Sequence, residues 1–200
     1  MHGCFMLTIG LTGGVGMGKS VAAELLEQRG CFIIDTDLLA RKIVEPGEPA
    51  LAEIRQAFGD KVISPEGRLR RDELAKIVFA DAARREQLEG ILHPRIRELW
   101  QAQAKGWEKE GRATCVVVIP LLFETQAEGH FQKIICVACS ASTQAQRLRA
   151  RGWSDQQIQQ RIESQWPIEQ KMSLSHFVIW TEGALDVHAA QIDRILNRLS

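Results

Sequence analysis

Eight consecutive residues near the N-terminus have the types and the spacing of a phosphate-binding loop. Residues 13–20 read GGVGMGKS and satisfy the pattern G-x-x-x-x-G-K-[ST] at every fixed position. Glycines let the backbone wrap closely around a polyphosphate, and the N–H groups of the loop and of the following helix attract its oxygens. Lys19 is expected to reach the β- and γ-phosphates, and the hydroxyl of Ser20 to ligate Mg²⁺. The predicted nucleotide-binding residues are Gly14, Val15, Gly16, Met17, Gly18, Lys19, Ser20 and Val21.

The segments on either side of this loop supply the strand and the helix that the motif requires. Residues 7–11 (LTIGL) are typical of a short strand. Residues 20–29 place Val21, Leu25 and Leu26 at helical spacing, and Gly30 is a typical helix stop. A glycine-rich turn that ends in Lys-Ser by chance does not explain this agreement, so the sequence predicts nucleotide binding.

A pair of carboxylates, Asp35 and Asp37, follows the second predicted strand at residues 31–35. Ligands of open α/β sheets bind beyond the carboxyl ends of the strands. Alternate residues of an extended segment share a face, so both carboxylates could point towards the predicted nucleotide site. One could organise Mg²⁺-bound water while the other accepts a proton from an acceptor hydroxyl. The alternative is that one of them only caps the next helix, a position that Asp favours.

Two absences argue against a GTP-dependent switch or a nucleotide-dependent regulator. No aspartate is followed by glycine three positions later, and no Asn/Thr-Lys-x-Asp element for guanine occurs. The favoured class is therefore a small-molecule kinase. A shikimate-type or nucleoside monophosphate-type kinase remains the alternative, although the Gly-Gly-Gly stretch with an arginine expected of a shikimate kinase is missing.

Apolar patterning predicts a parallel sheet whose two faces are both covered. Three further strands are predicted at residues 115–119, 133–139 and 177–180, and an amphipathic helix at 184–199. About eighty residues of mostly helical pattern separate the second strand from the third, which is too long for a simple connection. The predicted division is a nucleotide-binding core at 1–45, 112–141 and 175–200, a helical insertion at 46–111 and a second helical excursion at 142–174.

The composition indicates which kinds of partner and which cellular compartment to expect. Lysine plus arginine and aspartate plus glutamate both total 25, and the formal net charge of zero does not indicate a nucleic-acid partner. The longest apolar run, residues 115–123, is too short to span a bilayer and contains a proline. We expect a cytoplasmic protein without a secretory signal, a monomer or weak homo-oligomer, in which residues 1–5 before Met6 are dispensable. Cys136 and Cys139 lie in a predicted strand and are expected to be buried free thiols.

An ordered set of further motifs resembles the dephospho-CoA kinase family nearly end to end. Beyond the loop and the Asp-Thr-Asp element, the matching stretches are residues 44–47 (VEPG), 58–59 (FG), 67–74 (GRLRRDEL), 78–79 (VF), 91–96 (ILHPRI) and 120–124 (PLLFE), followed by Gln144, Arg147, Arg151 and residues 161–165. Each stretch alone is weakly specific, but their order and spacing together are specific.

The resemblance implies an α/β fold of the P-loop NTPase type, three layers with a five-stranded parallel sheet, a helical CoA-binding insertion and a lid at 142–174. It implies transfer of the γ-phosphoryl group of ATP, with Mg²⁺, to the ribose 3′-hydroxyl of dephospho-CoA. Asp37 matches the base, and Arg147 and Arg151 match lid arginines that neutralise the transferring phosphoryl group. From the loop motif and the Asp-Thr-Asp element, Lys19 is expected to contact the same group and Asp35 to be a water-mediated Mg²⁺ ligand. The implied substrate-binding residues are Thr12, Asp35, Asp37, Arg71, His93, Pro94, Leu121 and Glu124.

Some of these residues also have purely structural interpretations. His93 before Pro94 could terminate a helix and hold a core hydrogen bond, and Arg71 could be a surface residue of a helix. The chain also departs from the family pattern, at Met17 and Val21 in the loop region, Thr36 between the aspartates, Glu89-Gly90, Ser175-His176 and Thr181. We expect the loop to tolerate Met17, because it works through backbone N–H groups.

Overall fold

Five strands carry the fold, which a computed structural model describes over residues 6–199. They form one sheet in the order β2-β3-β1-β4-β5, with parallel pairing of β1 to β3, β1 to β4 and β4 to β5. The strands are β1 (Leu7–Gly13), β2 (Phe32–Asp35), β3 (Thr114–Val118), β4 (Lys133–Ala138) and β5 (Phe177–Trp180). All five predicted strands are confirmed, with ends that differ by at most two residues. The expectation for residues 1–5 lies outside the described residues.

Helices connect the strands. Within residues 6–199 they are α1 (Lys19–Glu27), α2 (Thr36–Lys42), α3 (Pro49–Phe58), α4 (Arg71–Ala80), α5 (Ala82–Lys109), α6 (Ala141–Ala150), α7 (Asp155–Glu163), α8 (Ile168–Leu174) and α9 (Leu185–Leu199), with short 3₁₀ turns at Asp60–Val62 and Glu128–His130. The connections from β1 to β2, from β2 to β3 and from β4 to β5 contain α-helices, as is usual between parallel strands, whereas the one from β3 to β4 contains only a 3₁₀ turn. No helix in this part of the chain is long and apolar enough to cross a membrane.

The pleat of the central strands sends alternate side chains to opposite faces of the sheet. On one face, Ile9 and Leu11 of β1 are fully buried in a cluster that includes Leu26 of α1 and Ile192 of α9. On the other face, Ala138 at the end of β4 packs with residues of α8, including Met172. Helices therefore cover both faces, and the predicted α/β class is confirmed.

The chain divides into two compact units, and residues 35–106 form the helical unit. Its core contains Leu51, Ile54 and Phe58 of α3 together with Leu74 of α4. The remaining described residues form the sheet unit, which contains the strands apart from the last residue of β2, together with α1 and α6 to α9.

Helix α5 continues through Pro94, so the interpretation that His93 terminates a helix is wrong. A proline inside a helix removes one backbone hydrogen bond and crowds the carbonyl four residues earlier. Apolar residues on both sides of the proline, Leu88 and Ile91 before it and Ile96 after it, pack against the core of the helical unit. This packing offsets the lost hydrogen bond.

The described cysteines are free and buried, as expected. Burial raises the pKa of Cys115 to about 12 and that of Cys136 to about 11. It also raises the pKa of Cys139. Thiols of this kind stay protonated at neutral pH and are poor nucleophiles.

Glu182, two residues after β5, holds the beginning of α6. Its Oε1 accepts hydrogen bonds from Ser140 N (2.8 Å) and Thr143 Oγ1 (2.9 Å). These bonds, led by those from Ser140, lower the pKa of Glu182 from its ordinary 4.5 to about 2. The ionised carboxylate of Glu182 therefore connects the end of β5 to the first turn of α6 through these hydrogen bonds.

Replacing Glu182 by glutamine is expected to change how stability depends on pH. Because the pKa is lower in the folded state, the ionised carboxylate stabilises the fold above pH 4.5, and this contribution is lost as the pH falls towards 2. The difference in melting temperature between wild type and Glu182→Gln should shrink over that window, in thermal melts followed by circular dichroism. The exposed Glu128, replaced in the same way, is the control and should give a difference that does not depend on pH. Parallel curves for the two variants would contradict the assignment.

Candidate active site

The phosphate loop follows β1 and is shaped by glycines that no other residue can replace. Gly13 has φ 144°, and a Cβ there would lie 2.2 Å from the carbonyl oxygen of Val137. Gly16 has φ 75°, and its Cβ would lie 2.8 Å from Leu148 Cγ. Both positions combine a backbone conformation that favours glycine with a neighbour that leaves no room for a side chain. The loop is thus built against β4 and α6.

The cationic and hydroxyl groups of the motif lie at the start of α1. Lys19 Nζ donates to the carbonyl oxygens of Gly13 and Gly14, both at 2.9 Å, so the ammonium lies across the loop. Gly18, the N-cap, provides no side-chain cap, which leaves the N-terminus of α1 to attract an anion. The side-chain hydroxyl of the exposed Ser20 forms no hydrogen bond with other residues between 6 and 199. Its hydroxyl is a hard oxygen donor of the kind that Mg²⁺ takes, so the residues present fit that ion.

Two glutamines hold the peptide groups of Val15 in the middle of the loop. Gln165 Oε1 accepts from Val15 N (2.9 Å), and Gln144 Nε2 donates to Val15 O (2.8 Å). Gln144 belongs to α6 and Gln165 follows α7, so both come from the segment predicted to be the lid. The loop geometry therefore depends on this segment.

Met17 departs from the family pattern for a structural reason. Its side chain is only 2% exposed and packs with Ala138, Cys139 and Met172 beneath the loop. Its carbonyl oxygen accepts from Thr181 Oγ1 at 2.8 Å. Met17 thus fills the base of the loop and contributes to the core of the sheet unit.

Thr181 also connects the loop to one of the two predicted arginines. Arg147 of α6 donates to Thr181 Oγ1 at 2.9 Å and to the carbonyl oxygen of the same residue. Arg151 is the C-cap of α6 and is exposed. The structure therefore brings Arg147 to the phosphate loop through Thr181, whereas Arg151 lies at the far end of the helix.

Residues 120–124 leave β3 and turn beside β1. Thr12, fully buried in β1, donates its hydroxyl to the carbonyl oxygen of Pro120 (3.2 Å). Leu122 and Phe123 are buried, and the ring of Phe123 is stacked with that of Trp166 at 6.5 Å. Leu121 and Glu124 are partly exposed. Packing thus fixes this segment and leaves Leu121 partly exposed, whereas only 13% of the Glu124 side chain is exposed.

Lys171 of α8 is a residue that the sequence analysis missed. It is fully buried, and its Nζ donates to Glu124 Oε1 (2.6 Å) and to the carbonyl oxygen of Pro120 (2.9 Å). Glu124 Oε1 also accepts from Trp166 N (2.9 Å), whereas its buried Oε2 has no partner among the described residues. A signal was available, because Lys171 follows Ile168 by three residues and therefore lies on the apolar face of α8.

Asp35 and Asp37 begin the helical unit, and Asp35 is the N-cap of α2. Its Oδ1 accepts from Asp37 N (2.8 Å) and Leu38 N (3.4 Å), as the capping alternative proposed. The expectation that both aspartates lie on one extended segment is wrong, because the strand ends at Asp35 and the helix begins at Thr36. Asp37 instead lies in the first turn of α2 and is exposed.

Arg71 and His93 occupy different helices of the helical unit. Arg71 is the first residue of α4 and is exposed. His93 is half-buried in α5, and its pKa is lowered, chiefly by burial and further by Arg97, while Glu89 opposes the change. Its ring makes no hydrogen bond within residues 6–199, so the core hydrogen bond considered for it is absent there.

Comparison with known proteins decides the family. The family model described as dephospho-CoA kinase matches residues 7–186. The chain belongs to the dephospho-CoA kinase family. A relative from Thermobifida fusca, named dephospho-CoA kinase, is 42% identical and covers 96% of this chain and 98% of its own length.

Two solved structures resemble this chain along nearly its whole length. A crystal structure from Thermus thermophilus has a TM-score of 0.86 and 31% identity, and covers 98% of this chain and 99% of that one. Dephospho-CoA kinase from Campylobacter jejuni has a TM-score of 0.71 and 27% identity, and covers 96% of both chains. The resemblance found in the sequence motifs is therefore confirmed.

Lys171→Met is expected to destabilise the protein by about 3–5 kcal/mol, because it leaves the carboxylate of Glu124 without its buried counter-charge. The double variant Lys171→Met/Glu124→Gln should recover much of that loss, since a neutral pair needs no compensation. Free energies of unfolding from urea titration test both expectations.

The exposed pair Arg149–Asp155 in the same unit provides the control. Arg149→Met should cost less than about 1 kcal/mol, as is usual for exposed ion pairs. A cost for Lys171→Met as small as this would show that the buried pair contributes little.

Proposed function

We propose that this chain transfers the γ-phosphoryl group of ATP to the ribose 3′-hydroxyl of dephospho-CoA, giving CoA and ADP. The observation that carries the proposal is the complete phosphate loop at residues 13–20 in a chain of the dephospho-CoA kinase family. Phosphoryl transfer of this kind depends mainly on positioning and on neutralising charge. The roles below follow from that requirement.

In this proposal the phosphate loop binds the triphosphate of ATP. The loop N–H groups other than those of Val15 and Met17, which donate to Gln165 Oε1 and to the carbonyl oxygen of Gly14, would bind the phosphate oxygens. Lys19 would move from the loop carbonyls to the β- and γ-phosphates. Ser20, and Asp35 through water, would hold Mg²⁺, which supplies neutralisation of the phosphate charge when it is bound. Val21, exposed in α1, completes the set of nucleotide-contacting residues.

Asp37 serves as the general base in this proposal. The 3′-oxygen of the acceptor forms a bond to the γ-phosphorus of ATP, while the bond from the γ-phosphorus to the β–γ bridging oxygen breaks and ADP leaves. The proton of the 3′-hydroxyl passes to the carboxylate of Asp37. Asp35 supports this role, since its cap on Asp37 N orients the first turn of α2. The capping and the chemical role of Asp35 are thus compatible, because the cap uses only Oδ1.

Arginines and the acceptor-binding residues complete the proposed site. Arg147, oriented by Thr181, and Arg151 would neutralise the transferring phosphoryl group. The proposed acceptor-binding residues are Thr12, Asp35, Asp37, Arg71, His93, Pro94, Leu121 and Glu124. Of these, Glu124 has the clearest capacity, because its buried Oε2 can accept a hydrogen bond from a hydroxyl or amide donor.

We further propose that the protein acts in the cytoplasm as a monomer or weak homo-oligomer. Buried free thiols suit a reducing compartment. The closing of residues 142–174 over the nucleotide would exclude water and suppress idle hydrolysis of ATP.

The purified protein is expected to phosphorylate dephospho-CoA in the presence of ATP and Mg²⁺ and to act far more slowly on shikimate and on nucleoside monophosphates. Coupled detection of ADP gives the rates, and mass spectrometry with ³¹P NMR of the product identifies the 3′-phosphate. Lys19→Ala should abolish the activity and serves as the control against a contaminating kinase. Phosphorylation of shikimate or of a nucleoside monophosphate, without phosphorylation of dephospho-CoA, would contradict the proposal.

Asp37→Asn is expected to lower kcat by about 10²–10⁴-fold, which is the usual contribution of a general base. KM for ATP should change little, because the loop residues are intact. Asp81→Asn is a matched control, since Asp81 caps α5 through bonds from Ala83 N and Arg84 N that asparagine can also accept. Steady-state kinetics on folded proteins test the role, and near-full kcat for Asp37→Asn would exclude it.

A further inference from the structure

A fully buried ammonium group, that of Lys171, holds both ends of the segment at residues 120–124. Its Nζ donates to the carbonyl oxygen of Pro120 at 2.9 Å and to Glu124 Oε1 at 2.6 Å. Thr12, which directly precedes the phosphate loop, donates its hydroxyl to the same carbonyl oxygen at 3.2 Å. One side chain of α8 therefore fixes this segment beside the phosphate loop.

Packing alone does not account for a charged side chain at this position. Replacing a buried ion pair by apolar residues of similar volume is often neutral or stabilising. The next residue of α8, Met172, packs against Ala138 and Met17, so apolar side chains suit the environment of this helix. The Lys171–Glu124 pair therefore has a role beyond packing, and the placing of its carboxylate indicates that role.

The two oxygens of the Glu124 carboxylate differ in their hydrogen bonds. Lys171 Nζ and Trp166 N both donate to Oε1. The other oxygen, Oε2, is buried and has no partner among residues 6–199. A buried acceptor atom without a donor costs free energy, and a ligand with a hydroxyl or amino group would recover it. The unequal use of the two oxygens therefore points to a ligand at Oε2.

We propose that Lys171 is a positioning residue for phosphoryl transfer. It holds Glu124 Oε1 and so directs Oε2 to a hydroxyl or amino group of dephospho-CoA, which reaches this oxygen when Trp166 shifts. The side chain of Trp166 is 39% exposed, so it is free to move on its outer side. This inference rests on the proposed function and adds Lys171 to it as a residue that acts through Glu124 and touches neither substrate.

Kinetics of Lys171→Met and Glu124→Gln test the assignment at a temperature at which each variant is folded. Each substitution should raise KM for dephospho-CoA by about 10- to 100-fold, the effect of one lost hydrogen bond to a charged group. In Glu124→Gln an amino group replaces Oε2 and cannot accept a hydrogen bond. KM for ATP should stay within about twofold, because the phosphate loop is unchanged. A wild-type KM for dephospho-CoA in either variant would overturn the proposal.

The double variant Lys171→Met/Glu124→Gln shows whether Lys171 acts through Glu124. If it does, KM for dephospho-CoA should equal that of Glu124→Gln within about twofold, because the positioned oxygen is already lost. A further increase of about 10-fold or more would show that Lys171 contributes by another route and would overturn the proposal. This comparison uses two variants without an unpaired buried charge, so it remains decisive if Lys171→Met does not fold.

Ile192→Ala is the matched control for loss of stability. Ile192 of α9 is fully buried on the opposite face of the sheet from α8, and truncation of such a residue destabilises a protein about as much as loss of a buried charge partner. KM for dephospho-CoA should stay within about twofold of the wild-type value in this variant. An increase as large as that of Lys171→Met would show that destabilisation alone raises KM, and would refute the positioning role.

The backbone amide of Trp166 supplies a readout that does not depend on turnover, because it donates to Glu124 Oε1. In protein labelled with ¹⁵N-tryptophan, its NMR signal is identified by its loss in Trp166→Phe. This signal should shift in Lys171→Met and stay in place in Ile192→Ala. Wild-type protein inactive on dephospho-CoA would refute the proposed function, whereas the shift in Lys171→Met would still report the positioning of Glu124. An unchanged signal in Lys171→Met would refute that positioning.

Discussion

The buried ammonium group of Lys171 is the contact on which the arrangement around the phosphate loop depends. It reaches the carbonyl oxygen of Pro120, which also accepts from Thr12 of β1, and the carboxylate of Glu124, which also accepts from Trp166 N. A fully buried charge is stable only when it is paired and hydrogen-bonded. The Lys171–Glu124 pair can therefore form only when α8, the residues that follow β3 and the central strand β1 are correctly positioned relative to each other.

The loop itself is held by the same part of the chain. Gln144 of α6 and Gln165 hold the peptide groups of Val15. Gln165 is followed by Trp166, whose N–H donates to Glu124, so one segment contacts both Glu124 and the phosphate loop. Residues 165 and 166 thus connect the phosphate loop to the segment at residues 120–124. Movement of this segment on nucleotide binding would reach both elements through hydrogen bonds already present in the structure.

Much of the fold was predictable because local signals agreed with the tertiary environment. Residues 7–11 and 134–138 are almost entirely apolar, and both lie in strands buried under helices on two faces. The continuation of α5 through Pro94 was not predictable, since it depends on packing of residues on both sides against a core formed by other helices. Likewise, Asp35 is extended and Asp37 is helical, because the chain turns into α2 immediately after β2.

The sequence by itself determined the chemistry that this protein can perform. A phosphate loop must have glycine, lysine and serine at set spacings, because backbone conformation and phosphate contacts are local requirements. Tertiary structure alone decided the contacts that join distant residues. The pairing of Lys171 with Glu124 and the burial of Met17 beneath the loop are of this kind. These contacts depend on which helices pack together, and that follows from burial of the whole apolar surface.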